Sequence, residues 1–403
     1  MIVCSAALAC GLLPASAAAA TGPAFKGSVS NHTSLSGAVS VAVSGHYAYT
    51  TAYWAGQLTA VDISNPAAPT VVGSSASVPS LENAVTVAIS GNYAYVVSKN
   101  RNASVSSNDD GVTGNALTIL DIHTDPTHPT VVGFIRDPNK LFGAYGIAVQ
   151  GTFAYVAYQG LLSGQPTTPD TSTGGFTVVD ISSPATPHIV GNIDNGSLTG
   201  AQTNDLWHAD SVALSGHTAY VAASYSHAVT AIDITTPTAP TILGRTNDPA
   251  RLHFANDVAI QGNYAYVASQ TNPAGKLTIV DITNPVSLKV VGSVSDAALN
   301  EAYRVRVRGN FAFVSSLSAD TVAMIDVSNP ASPKIVGTVH DPAHLHSTTG
   351  LDITIAGRYL IASSPYRTSE TSPKFPPYPV PGGSGPQNTG TISAIDLDPS
   401  PVS

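Results

Sequence analysis

Cysteine is almost absent from this chain. Its 403 residues contain two, Cys4 and Cys10, both within the first twenty positions. The remainder can hold no disulfide framework, thiolate nucleophile or cysteine metal site. Charge is scarce too: only 10% of residues are charged, with 16 Lys and Arg against 25 Asp and Glu, a net −9. The cations are scattered and form no basic patch, so nucleic acid is excluded as a partner. No apolar run beyond the first twenty residues is long enough to span a membrane. No strained Ser elbow, phosphate loop, dinucleotide glycine motif or firm zinc spacing occurs in convincing context. A nucleotide cofactor is therefore not expected, and neither is a resident metal.

Glycine (34) and proline (29) are abundant, alongside Val, Thr, Ser and Ala. That composition favours short strands joined by tight turns. The opening "MIVCSAALACGLLPASAAAA" is uncharged and ends in small residues. Residues 1–20 therefore read as a secretory signal peptide cut near Ala17 or Ala20. A secreted or cell-surface location follows as an expectation, with a monomer and no transmembrane segment after signal removal.

One unit repeats along the rest. From Asn256, "NDVAIQGNYAYVASQTNPAGKLTIVDITNPVSLKVVGSV" holds four β-patterned runs separated by turn signals. A marker glycine before the second run recurs at Gly45, Gly91, Gly151, Gly216, Gly262, Gly309 and Gly357. The third run ends in Asp62, Asp121, Asp180, Asp233, Asp281, Asp326 and Asp396. The fourth run, with its own glycine, occurs only six times after a third run. "AFKGSVS" (24–30) matches "KVVGSVS" (289–295) and supplies the seventh from the other end of the chain. These features predict an all-β, seven-bladed β-propeller of four-stranded blades spanning 24–398, with the N-terminal strand completing the last blade and leaving no open edge. Residues 365–390 read as a Pro/Gly-rich insertion in blade 7, and blades 2 and 3 carry further long insertions.

"LTIVDITNP", "LTAVDISNP", "FTVVDISSP" and "VAMIDVSNP" resemble the LVIVD repeat. The resemblance covers 24–398 and implies a propeller of secreted or cell-surface bacterial or archaeal type. It implies no particular reaction. An Asp repeated in all seven copies reads as turn scaffold, bonding its own backbone two residues on.

Function is expected where the copies differ. Ten and seven residues before the marker glycine, blades 1–6 keep Leu and Ala as packing positions. Between and after these, blades 1 and 2 are bland. Blade 3 has Tyr145; blade 4 has Trp207, His208 and Asp210; blade 5 has His253 and Asp257. Blade 6 has Glu301, Tyr303, Arg304 and Arg306; blade 7 has His346 and Asp352. These twelve residues are expected to converge at one mouth of the central channel, as polar and aromatic groups do at a ligand site.

In "AYRVRVRGNF" (302–311), Arg304 and Arg306 stand where blades 1–4 have Ser, Thr, Gly or Ala. A buried guanidinium must be paired. Asp257 and Asp352, at the same level in the flanking blades, are its expected partners, with Arg306 deeper on the strand. Two roles stay open: a structural ion-pair belt, or an arginine aimed at an anionic ligand. His208, His253 and His346 suit hydrogen bonding or acid–base work better than a metal. The sequence thus points to a propeller that binds an extracellular protein, glycan or anionic small molecule at blades 3–7. A hydrolase or lyase at the same mouth is the alternative.

Overall fold

The computed structural model describes residues 22–99, 114–160, 174–195, 205–271, 273–347, 350–365 and 389–397. The expected signal peptide, most of the three long insertions and the acidic "SSNDDG" segment (106–111) lie outside the described residues. Strands β1 (Ala24–Asn31) to β28 (Gly390–Asp396) form seven four-stranded sheets, as expected for a seven-bladed propeller. Each sheet is antiparallel and, in blades 1–6, runs in chain order from axis to rim. No helix among the described residues is long and apolar enough to cross a membrane.

The sequence dictates the turns locally. Every marker glycine has φ of 57–59°, the left-handed conformation that a two-residue hairpin turn requires. The repeat Asp forms the next turn. Asp62 accepts from the Ser64 N–H at 2.8 Å, and Asp121, Asp180, Asp233, Asp281 and Asp326 repeat the bond. The Ser64 N–H and hydroxyl hold the Asp62 carboxyl below its ordinary range. Asp396 in blade 7 also pairs with Arg358.

The core lies between blades rather than within them. Leu35, Val41 and Val61 of blade 1, for example, pack with Ile361 and Ile392 of blade 7. The repeated Leu and Ala positions, such as Leu206 and Ala209, are fully buried in these seams.

The ring closes through β1, which pairs antiparallel with β28 from Ala24↔Asp396 to Asn31↔Gly390. Fourth-strand glycines explain the fit. A Cβ on Gly73, Gly133, Gly191 or Gly292 would collide with the proline turn of the next blade. Gly27 meets Pro66 and Ala67 of blade 1 in the same way, so the orphan strand packs as every other outer strand does. Deleting 24–30 should therefore remove cooperative thermal unfolding and promote aggregation through the bared β28 edge. Gly27→Val should destabilise by roughly 1–3 kcal/mol in denaturant titrations. A deletion variant that stays monomeric with an unchanged melting curve would contradict closure by β1.

Candidate functional site

Counting from the marker glycine resolves the mouth into rings. Eight residues before it stand Gly37, Asn83, Gly143, His208, Phe254 and Glu301 in blades 1–6, all at φ between 50° and 75°. Blades 1–3 use Gly or Asn there, which tolerate this conformation. Blades 4–6 place an imidazole, a phenyl and a carboxylate in it. The carbonyl at this position accepts the N–H of the residue eight after the glycine: Tyr53, Lys99, Gln159, Ser224, Gln270 and Leu317, at 2.9–3.3 Å. Both ends of this bond thus sit at the rim.

Six residues before the glycine, each inner strand of blades 1–6 has a register shift, as between Ala302 and Arg304. Such a bulge re-aims one side chain. The bulged residues are Val39 and Val85 in blades 1 and 2, then Tyr145, Asp210, Asn256 and Tyr303. Strand β26 (Asp352–Ala356) of blade 7 begins after this point and has no shift.

These rings enclose a cavity of about 640 Å³ over blades 2–6. Tyr145, His208, Asp210, His253, Glu301 and Tyr303 line it, as does Asn256. The phenolic hydroxyls of Tyr145 and Tyr303 meet across the channel, hydrogen-bonded, with the Arg304 guanidinium carbon 5.6 Å and 4.7 Å from their ring centroids. Burial raises the pKa of both phenols and keeps them protonated. Gln159 donates to Asp210 Oδ1 at 2.5 Å. Asp210 Oδ2 and the Ser224 hydroxyl lie 3.1 Å and 2.9 Å from His208 Nδ1. His208 Nε2 has no hydrogen-bond partner among the described residues, and Tyr225 packs edge-on against the imidazole at 4.7 Å.

Tyr225 also stacks on Trp207 (5.4 Å) and meets Phe254, while His253 stacks on His227 at 4.7 Å. Desolvation and the neighbouring His253 lower the pKa of His227. The Lys99 ammonium sits 5.4 Å from the Tyr145 centroid, and its desolvation lowers the pKa.

Below the cavity floor runs a belt five residues before the marker glycine. Ser211 donates to Asp257 Oδ1 at 2.6 Å. Asp257 Oδ2 accepts the Val305 N–H and Arg306 Nη1, each at 2.9 Å. Arg306 Nη2 reaches Asp352 Oδ1 at 2.9 Å. Ser40 donates to Asp352 Oδ2 at 2.7 Å and accepts the Val87 N–H of blade 2. Bonds thus link blade 4 through 5, 6, 7 and 1 to blade 2. In blade 3 a Cβ on Gly146 would lie 2.7 Å from the Asp210 carbonyl, so close backbone approach replaces the bond.

Arg304 stands against both Asp257 and Asp352, as expected, at ion-pair distance. The direct hydrogen bonds of the two aspartates go to Arg306. Arg306 lies two residues on along the same strand face, and its side chain is 30% exposed. Arg304 is 4% exposed and stands at 3.9 Å and 3.7 Å from them. Arg308 is exposed and donates to the Gly357 carbonyl. His346 is not drawn to the cavity; its Nδ1 lies 2.9 Å from Asp320 Oδ1. Nor do its neighbours gather around a metal: His344 meets Asp341, His340 meets the Ala319 carbonyl, and no metal-holding cluster exists among the described residues. The cavity also uses Lys99, Gln159, Ser224, Gln270 and Leu317, which sequence reasoning missed. Their signal was variation eight residues after the marker glycine.

The LVIVD repeat matches eight segments: 37–76, 83–102, 111–137, 143–162, 171–195, 208–248, 254–296 and 301–341. The chain belongs to the LVIVD-repeat family. No curated protein matches this LVIVD propeller. Among solved structures it resembles a functionally unknown protein from Desulfotomaculum acetoxidans, at 14% identity and TM-score 0.54, covering 75% of this chain and 85% of that one. The computationally designed Ika8 protein matches at 10% identity and TM-score 0.53, covering 93% of this chain and all of that one. A protein from Bacteroides uniformis, provisionally described as a 6-phosphogluconolactonase, matches at 10% identity and TM-score 0.54, covering 74% and 87%. At such identities the likeness is one of fold alone.

Two variants test the site's construction. Glu301→Gly should raise stability by about 0.5–1 kcal/mol, because left-handed strain at a non-glycine residue is relieved; a loss of stability would show that the conformation is unstrained. Arg306→Ala should cost on the order of 3 kcal/mol by stripping two buried carboxylates of their cation. A change under about 1 kcal/mol in a denaturant titration would mark the pair as a weak, solvated one.

Proposed function

We propose that this LVIVD propeller is an exported binding protein whose cavity takes a small, hydroxyl-rich molecule, a saccharide of one or two units. The convergence of amides and hydroxyls on blades 3–6 carries this reading. Gln159, Ser224, Asn256 and Gln270 offer donors and acceptors, while Tyr225 and Phe254 offer apolar ring faces. A pocket of this size, with a few fixed polar groups among aromatics, suits such a ligand. The apolar leader with its small-residue end supports export.

A second reading rests on His208. Its Nδ1 is anchored by Asp210 and its Nε2 has no partner among the described residues, the arrangement of a general acid or base. Ser224 lies on the same nitrogen as the carboxylate, so it cannot serve as a nucleophile activated through Nε2. Hydrolysis or elimination would therefore use His208 without a serine ester.

Calorimetric titration with a panel of mono- and disaccharides tests the first reading. Gln270→Ala should weaken a hit by about fivefold, the worth of one hydrogen bond, and Tyr225→Ala by more. His346→Ala, outside the cavity, should leave affinity unchanged. Absence of any saccharide binding would overturn the reading. Product formation that His208→Ala abolishes would establish the catalytic one.

A further inference from the structure

Lys99 is the one lysine among the described residues lining the cavity, and the belt beneath makes no use of it. It follows the second strand of blade 2 (Tyr93–Ser98), at the position where blades 1 and 3–6 carry Tyr53, Gln159, Ser224, Gln270 and Leu317. Its N–H donates to the Asn83 carbonyl at 3.3 Å, the same tie that fixes Gln159, Ser224 and Gln270 at the rim. The backbone is thus held, and the partly buried side chain lies on the cavity wall.

There the amine has no fixed partner. The two carboxylates of the cavity are engaged elsewhere, Asp210 with Gln159 and His208, and Glu301 with the Ser318 hydroxyl. Among the described residues the Lys99 amine makes no hydrogen bond or ion pair; its near neighbour is the Tyr145 ring, 5.4 Å away at the centroid. Desolvation, opposed in part by the charge of Asp210, lowers its pKa and so raises the share of free amine at neutral pH. The free amine is the form that attacks a carbonyl carbon.

The charges around the cavity disfavour an anionic guest. Lys99 stands against Asp210 and Glu301 on the wall, while beneath the floor Arg304 and Arg306 balance Asp257 and Asp352. A neutral electrophile meets no such bar, and an aldose in its open-chain form carries one, an aldehyde.

We propose that Lys99 is a covalent attachment point, forming an imine with the aldehyde of a reducing sugar held in the cavity. The proposal rests on the saccharide reading above and gives that ligand a reactive end. The amine nitrogen adds to the aldehyde carbon, and the carbonyl oxygen takes one of the two nitrogen protons to become a hydroxyl. That hydroxyl leaves with the second proton as water, and a carbon–nitrogen double bond remains. The sugar hydroxyls are met by Gln159, Asn256 and Gln270, which line the same cavity.

The test traps the imine. The full chain is incubated at neutral pH with D-glucose or D-galactose and sodium cyanoborohydride, which delivers hydride to the imine carbon and leaves a stable secondary amine. Intact mass and peptide mapping then locate the adduct. The matched methyl glycosides cannot open and serve as controls. Lys99 should be labelled about tenfold or more faster than any other lysine, because the cavity holds the aldehyde beside it. Lys99→Arg keeps a cation but offers no nucleophile, and should lose this adduct; the map of the unmodified sequence decides the question even if the variant fails to fold. Labelling spread evenly over the lysines, or centred on another, overturns the proposal, and so does the absence of any adduct. Calorimetry with the methyl glycosides separates the two claims. If they bind while no Lys99 adduct forms, the saccharide reading stands without its nucleophile. If no sugar binds in either form, both fall together.

Discussion

A seven-membered ring of sheets must hold its inner strands against one another where they crowd most. Here that work falls to one register position on the inner strands of blades 1, 4, 5 and 7. A short side chain or carboxylate accepts the backbone N–H of the next blade. Ser40, Ser211, Asp257 and Asp352 each do so. Arg304 occupies the same position but is a donor, so it cannot take the Ile353 N–H, which bonds to Asp352 instead. Arg306 repairs the break by spanning Asp257 and Asp352 across three blades. Buried carboxylates are tolerated there because nearly every oxygen is filled.

With the belt fixing the strands, the positions just above it are free to vary. The bulge at each inner strand turns one side chain toward the channel in blades 1–6, and the left-handed residue two positions earlier sets the rim. Blades 1 and 2 spend these positions on valine, glycine and asparagine. Blades 4–6 accept backbone strain at His208, Phe254 and Glu301, and place aspartate, asparagine and tyrosine on the bulge. Strain concentrated in three adjacent copies of a repeat is what a functional sector would show, since the scaffold alone is satisfied by glycine.

The fold was legible because repetition exposes it. Gly27 in an orphan strand, read against Gly292, was enough to anticipate closure, and the reason is steric: each such glycine meets a neighbour's proline turn. Tyr145, Asp210 and Tyr303 were legible as departures from Val39 and Val85. The two arginines were only half legible. Their face and their partners follow from alternation, but which one reaches the carboxylates depends on how the bulge sets the strand. His346 was misplaced because it turns instead to Asp320, a partner outside the repeat pattern. Gln159, Ser224 and Gln270 were missed because they end the second strand, where local pattern looks ordinary. Their bond to the left-handed carbonyl is visible only in three dimensions.

The belt behaves as one unit through Arg306, so that two carboxylates in non-adjacent blades feel each other. A double-mutant cycle on Asp257→Asn and Asp352→Asn measures this directly by chemical denaturation. Non-additivity of about 1 kcal/mol or more is expected, because both substitutions act on the same guanidinium. Free energies that add within about 0.5 kcal/mol would contradict it, and would reduce the belt to independent contacts.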